Sequence, residues 1–320
     1  MKEYLIESAI DIIDSTKLQD YQACMRYGML AHVFGWKSNR PNNHLVFGSA
    51  WHLAMEHLLL HGYSAQTIVE AYDLFEAEYR ASFEPDTDEI FFPKTPQVVF
   101  LNLAKYVNEY RDTDTDFATL HTEIAGSVPI LYGLRIHFKL DSILQRISTG
   151  HMSSREHKTG SRLSQAWRDQ WSMKIQTGTY QHVLHCLWPP EQVEGIVING
   201  AIFTSGIKKA GAVAFERVPI KRSPAMMEEW LSMVSDLAGS VVNSIDSLRQ
   251  WWDLWYSKSV LNLFPKNTEH CGGYSGCLYR DFCSAWANPL HYIDTVPSGF
   301  KTEFWNPVEE RSKMKMITDL

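Results

Sequence analysis

Glu156 and Lys158 lie two residues apart in Arg155-Glu156-His157-Lys158-Thr159-Gly160. On a strand, side chains at that spacing leave the same face, about 6–7 Å apart along the chain. A carboxylate beside an ammonium suits work at a phosphate. The acid holds a divalent cation, and the amine polarises a water or a phosphoryl oxygen. Such triplets are common on surface strands, so the weight falls on what accompanies this one. Asp141 ends an alternating segment fifteen residues upstream, with the turn residues Ser148-Thr149-Gly150-His151 between. An Asp on one strand and a Glu-x-Lys on the next converge on one cation. Mg²⁺ or Mn²⁺ takes a few carboxylates and keeps waters. Such an ion neutralises developing charge and makes water a better nucleophile.

Further chemistry-bearing residues are scattered. His52 follows Gly48-Ser49-Ala50-Trp51 in an apolar segment, with Glu56 one turn on; the pair shares a helix face. Gln176 and Tyr180 are also four apart. Of five cysteines, Cys271, Cys277 and Cys283 cluster, while Cys24 and Cys186 are remote. Clustered thiols at this low density indicate metal rather than a disulfide scaffold. Four thiolates suit a 4Fe-4S cluster or tetrahedral Zn²⁺. Gly272, Gly273 and Gly276 let the backbone wrap a bulky group. His270 offers a rival Cys3His zinc site. Cys186 is either a substitute for Cys24 or a buried apolar thiol. Each candidate also has a plain structural reading: His52 as a core histidine, Asp141 as a turn cap, and Gln176 and Tyr180 as helix surface and core edge. Glu156 and Lys158 would then be an exposed pair worth under about 1 kcal/mol.

The elements that must position these groups follow from periodicity and punctuation. Residues 1–34 read as helix, interrupted at Asp14-Ser15-Thr16, which caps a second stretch running to about Phe34. Helices are predicted over 45–61, ended by Gly62, over 65–80 and over 97–110. Alternation begins near His121 and predicts strands at 122–128 and 134–147 and a third through Glu156 and Lys158. Ser164 opens a helix to about Leu187. Strands at 195–203 and 213–218 follow, then one long helix or two over 226–256, then the cysteine segment and a polar tail. The order predicts an α/β fold with helical decoration. Its parts are a helical region at 1–120, a core at 121–222, a C-terminal helical region at 223–295 and a tail at 296–320.

Composition sets bounds. With 320 residues, 45 % hydrophobic, the chain is long enough for one large core or two coupled subdomains. No apolar run approaches the roughly 18–20 residues of a membrane helix. The N-terminal segment carries acids inside its apolar stretch and does not read as a secretory signal, so a cytoplasmic protein without a membrane partner is expected. Net charge is −7, yet residues 135–174 hold eight Lys/Arg against three acids. A second basic group comprises Lys208, Lys209, Arg217, Lys221 and Arg222, and acids gather at 84–89 and 112–116. That asymmetry predicts a basic channel for phosphates. Abundant Trp and Tyr offer base stacking. No Walker A loop is present.

Taken together, Asp141, Glu156-x-Lys158 and Gln176-x3-Tyr180 resemble the PD-(D/E)XK nuclease superfamily in its RecB-like exonuclease branch. Gly48-x3-His52 is similar to that branch's Gly-x3-His motif. Cys24 with Cys271-x5-Cys277-x5-Cys283 resembles the iron–sulfur clasp of AddB-type nucleases. Phe264-Pro265-Lys266-Asn267 and Tyr279-Arg280-Asp281-Phe282-Cys283 look most like phage-encoded members. The resemblance spans roughly residues 20–290. It implies a mixed central sheet flanked by helices, with the helical ends closed by a 4Fe-4S cluster. It also implies His52, Asp141, Glu156 and the His157 carbonyl as ligands of Mg²⁺ or Mn²⁺. Lys158 would be the residue polarising water, and Gln176 and Tyr180 would line the substrate side. The implied activity is exonucleolytic cleavage of DNA single strands or duplex ends in recombination, repair or end processing, with a helicase or recombinase partner for unwinding. Two departures are visible. Lys139-Leu140 precede Asp141 where the family often has Pro or Gly, and the second acid is Glu rather than Asp. The rival readings are a catalytically silent nucleic-acid-binding or assembly module and a zinc-stabilised structural protein.

Overall fold

The computed structural model describes residues 10–205, 211–250, 258–272, 276–305 and 316–317. Residues 1–9 of the first predicted helix, the basic pair Lys208 and Lys209, the stretch 251–256, Gly273 and most of the tail lie outside them.

Asp14 caps α1 (Ser15–Ala23), its carboxylate accepting from the Thr16 and Lys17 amides. The expected run to Phe34 breaks at Cys24, whose extended backbone ends α1 and opens α2 (Met25–Gly28) before a π-turn at Met29–Val33. β1 is Trp36–Ser38. Asn42 caps α3 (Asn43–His61), and Gly62 stops it at φ +80°, a conformation that favours glycine. A Ser64–Thr67 capping box opens α4 (Ala65–Arg80). α5 (Asp88–Phe91) is one turn, and α6 (Pro96–Asp114) starts at a proline with no amide to lose. Three strands follow: β2 (Phe117–Pro129), β3 (Arg135–Arg146) and β4 (Met152–Gly160).

The helix expected from Ser164 to Leu187 is two: α7 (Gln165–Asp169) and α8 (Ile175–Leu187). Side chains take the carbonyls between them. Thr177 Oγ1 donates to Trp171 O at 2.7 Å, and Arg222 donates to Ser172 O and Lys174 O at 3.1 and 2.7 Å. β5 (Val193–Thr204), β6 (Ala212–Ile220), α9 (Pro224–Gln250), α10 (Arg280–Ala285), β7 (Phe300–Thr302) and β8 (Met316–Ile317) complete the order. No helix among the described residues is long and apolar enough to cross a membrane.

The chain divides into two compact units, one of residues 1–40, 127–138 and 225–309, the other of 41–126, 139–224 and 310–320. In the first, β1 pairs antiparallel with β7, and Trp36, Phe282 and Trp286 pack with ring centroids 4.7–6.0 Å apart. The second carries a mixed five-strand central sheet in the order β6-β5-β4-β3-β2, flanked by helices, with β8 beside β2. β4 is antiparallel to β3 and parallel to β5. That parallel pairing needs a crossover, which α7 and α8 supply. α3, α4 and α6 bury Phe47, Trp51, Phe75, Tyr79 and Tyr106 with Phe203 of β5.

On the odd-numbered side of β4, Arg155 donates twice to Asp114 at 2.8 Å. Arg217 donates to the same carboxylate at 2.6 and 2.7 Å, and the Tyr63 hydroxyl at 2.6 Å. Burial alone would raise the pKa of Asp114, but Arg217 and Arg155 hold it below the ordinary value. Asp114→Asn strands two buried guanidiniums and should cost about 3–5 kcal/mol at neutral pH. A depressed folded pKa means stability that is full above the unfolded carboxylate pKa and lost as pH falls through the folded value. Acid-unfolding curves of wild type and Asp114→Asn should therefore converge at low pH; parallel curves would contradict this assignment.

Candidate metal centre

Three elements of the second unit bring ligating atoms together, and β4 stands beside them with Glu156 outside that close group. α3 brings His52, β2 Glu123, β3 Asp141, and β4 Glu156 and Lys158. His52, Glu123 and Asp141 offer ligating atoms all within 4.8 Å of one another. The His52 Nδ1 lies 3.1 Å from Asp141 Oδ1, and its Nε2 donates to His157 O at 2.9 Å, joining groups 105 residues apart. The second Asp141 oxygen accepts the His157 amide at 2.7 Å. The Lys158 ammonium donates to Glu156 Oε1 at 2.6 Å, and Gln176 Nε2 donates to that same oxygen at 3.2 Å and to the Tyr180 hydroxyl at 2.8 Å. Tyr180 is buried. It steadies Gln176, which steadies Glu156.

The acids are buried and the bases open. Glu156 and Asp141 side chains are 3 % and 8 % exposed, against 24 % for Lys158 and 30 % for His52, so the site is reached from solvent past the lysine and the imidazole. Burial works against a charged His52, but Asp141 outweighs it and pushes its pKa up to about 9. Asp141 is held well below the carboxylate range: burial opposes this, and His52 and Lys158 overcome it. Glu156 is raised by burial and by Asp141. Lys158 is raised because Glu156 and Asp141 outweigh burial. The His157 ring points to the opposite face, where burial lowers its pKa to about 3 and its Nδ1 sits 2.9 Å from Asn199 Nδ2. His157 thus brings its carbonyl to the centre and its ring to the core.

The donor set suits a divalent cation. Imidazole, carboxylates and a backbone carbonyl are present together, and the buried Glu156 Oε2 has no hydrogen-bond partner among the described residues. Ligation requires His52 to give up a proton, which the cation replaces.

Glu123 is absent from the sequence reading. Its carboxylate pairs with Lys139 at 3.0 Å, and its backbone takes φ +46° in the middle of β2. The only available signal was an acid in an alternating strand; the unusual backbone that aims it is invisible in sequence. The basic window also reads differently in three dimensions. Lys139, Arg146, Arg155, Lys158 and Arg168 pair with Glu123, Glu194, Asp114, Glu156 and Glu216. Most of that charge is compensated inside the fold, so a broad basic channel is not what these residues build.

Cys24, Cys271, Cys277 and Cys283 occupy the first unit, and Cys186 the second. Cys24, at the break between α1 and α2, accepts the Asn267 amide at 3.3 Å, and Asn267 Nδ2 donates to Ala23 O at 2.8 Å. Cys271 Sγ lies 3.8 Å from Asn267 O, and Lys266 donates to Cys283 O. The Phe264–Asn267 segment thus ties Cys24 to the clustered thiols. Arg26, buried against Phe264 O at 2.9 Å, leaves Nη1 without a hydrogen-bond partner among the described residues, near Cys24 and Cys283. Burial raises the pKa of the Cys283 thiol, and the Arg26 guanidinium and Lys266 pull against it. Among the described residues no three thiols come within 4.8 Å of one another. His270 packs its ring edge-on to Tyr27. Cys186 is exposed on α8, 3.7 Å from His182, rather than buried.

Compared with protein-family models the chain finds no match, and compared with curated proteins it finds none either.

Removing the Glu123 carboxylate tests the donor set. Glu123→Gln should weaken Mn²⁺ binding about tenfold or more in calorimetric titration, with thermal stability kept. Unchanged affinity would exclude Glu123 from the centre.

Proposed function

We propose that the chain is a Mg²⁺- or Mn²⁺-dependent nuclease of the PD-(D/E)XK superfamily, RecB-like branch, hydrolysing DNA phosphodiester bonds from single strands or duplex ends. The observation that carries this reading is the convergence of His52, Asp141, Glu156 and Lys158 from three separate elements into one solvent-reachable cluster. A purely structural ion pair would not need a buried, unsatisfied carboxylate oxygen beside two other ligating groups.

The cation, when bound, supplies charge neutralisation at the phosphate and a more acidic water. Asp141, Glu156 and the His157 carbonyl are its holders, with His52 and Glu123 completing the set. Lys158 keeps its proton under the influence of Glu156 and presents an ammonium to the phosphoryl oxygen or the attacking water. Gln176, backed by Tyr180, fixes the Glu156 carboxylate against the pull of Lys158 and would keep it in place to hold a cation. Recombination, repair or end processing is the setting such chemistry serves, with strand separation left to a helicase or recombinase partner.

In the first unit, Cys24, Cys271, Cys277 and Cys283 are proposed to hold a 4Fe-4S cluster. The chain entropy argument makes it a structural fastener, since Cys24 and Cys271 are 247 residues apart and closing so long a loop disfavours the unfolded chain.

Two measurements test these readings. With Mn²⁺ and end-labelled single and double strands, Lys158→Ala should cut the rate by about 10²-fold or more while keeping Mn²⁺ affinity; equal rates in both proteins would mean the activity is not this site's. Cys277→Ala should lose visible absorbance and iron and lower the melting temperature. An unaltered spectrum, or zinc in place of iron, would refute the cluster.

A further inference from the structure

Lys158 pairs in register with Gly200 of β5, and Gly160 follows it two residues on. Cross-strand partners and i, i+2 neighbours share a face, so Glu156, Lys158, Gly160 and Gly200 all look the same way. The two glycines make room for one ring. A Cβ at Gly160 would stand 3.2 Å from Nε1 and 3.7 Å from Cδ1 of Trp167; at Gly200 it would collide with Cη2 and Cζ2. The indole therefore rests across β4 and β5 immediately beyond the lysine.

Trp167 is held there. Its amide bonds Ser164 Oγ at 3.2 Å at the start of α7, and its neighbour Arg168 pairs with Glu216 at 2.8 Å. Trp171 packs edge-on against it, centroids 5.5 Å apart. Yet both residues stay half-buried, although the Trp171 Nε1 is itself covered, whereas Trp36 and Trp51 of the cores are sealed. An indole that served only to cover the sheet would be buried as those are. Here a fixed aromatic surface lies over Gly200, the cross-strand partner of Lys158 about 5 Å from it, and so directly beside the proposed phosphate-binding lysine.

We infer that Trp167, supported by Trp171, forms a nucleobase subsite that stacks an unpaired base next to the phosphate engaged at Lys158. The inference rests on the nuclease reading and deepens it: the substrate is single-stranded at the cut, because a base inside a duplex has both faces covered by its stacked neighbours. Stacking is sequence-tolerant, since every base has a π-face. It also provides the contact that the internally compensated basic residues do not.

The test is equilibrium binding of a fluorescein-labelled single-stranded oligonucleotide, and of the same strand carrying abasic residues, with Ca²⁺ in place of Mg²⁺. Trp167→Ala should bind the normal strand about tenfold more weakly, with Mn²⁺ affinity unchanged. Trp167→Phe should stay within about threefold, since a ring remains. Trp167→Leu, which keeps apolar bulk over the glycines and guards against a folding defect, should lose affinity like the alanine variant. Wild type should bind the abasic strand as weakly as Trp167→Ala binds the normal one, and the variant should show no further loss. If wild type cleaves DNA but Trp167→Leu loses nothing, or loses equally on both strands, the subsite is refuted and the nuclease reading stands. If wild type neither binds nor cleaves DNA, both fall.

Discussion

The two-residue period of β4 is the constraint on which the site depends. Even-numbered Glu156 and Lys158 face the metal centre, while Arg155 and His157 face the opposite side. That opposite side is locked. Arg155 is tied to Asp114, and the His157 ring to Asn199, which itself bonds the Tyr106 hydroxyl at 2.8 Å and accepts from Arg217 at 3.1 Å. A slip of one residue would put a guanidinium into the centre and two site residues into the core. Because breaking a buried ion pair is so costly, this locked face fixes the register of the face that carries the candidate site. The long parallel pairing with β5 then carries that register to Gly200 and to the ring above it.

Asp141 is the second fixed point. One oxygen faces His52 and the other takes the His157 amide, so a single carboxylate couples α3, β3 and β4. Glu123 reaches the same place only by adopting a positive φ, a conformation costing a non-glycine residue of order 1–3 kcal/mol. Such strain persists where neighbours over-determine it. Here Lys139 grips the carboxylate, and the adjacent Thr122 donates to Glu56 of α3 at 2.8 Å.

What was legible in the sequence was whatever rests on local chemistry. Gly62 and Asp14 end or begin helices through backbone freedom or their own side chains. The alternation of β3 and the placing of Glu156 with Lys158 on one face need only period two. What stayed hidden depends on distant partners. The break before α8 is made by Arg222, some fifty residues on. Arg146, Arg155 and Arg168 find their acids 41–48 residues away, so a linear count of charge overstated the basic surface. Cys24 interrupts a helix-favouring run because a remote amide, that of Asn267, meets its sulfur. Trp167 became meaningful only once the β4–β5 register set Gly160 and Gly200 beneath it.

Charge balance links the geometry to the proposed chemistry. Around the centre stand three acids, Glu123, Asp141 and Glu156, and three bases, His52, Lys139 and Lys158. With His52 protonated, as its raised pKa dictates near neutral pH, and with the three acids ionised, against which burial raises Glu156 and Glu123, the set sums to neutral, and the imidazolium bridges Asp141 and the His157 carbonyl. Exchanging that one proton for a divalent cation leaves a net charge of one positive unit in a partly buried place. A single phosphodiester carries one negative charge and restores neutrality. The same exchange satisfies the orphaned Glu156 oxygen and frees an imidazole nitrogen for ligation. On this account the apo centre is self-capped, with a proton standing where the ion belongs. In the proposed nuclease the loaded centre, rather than the self-capped one, would be the form that attracts a phosphate.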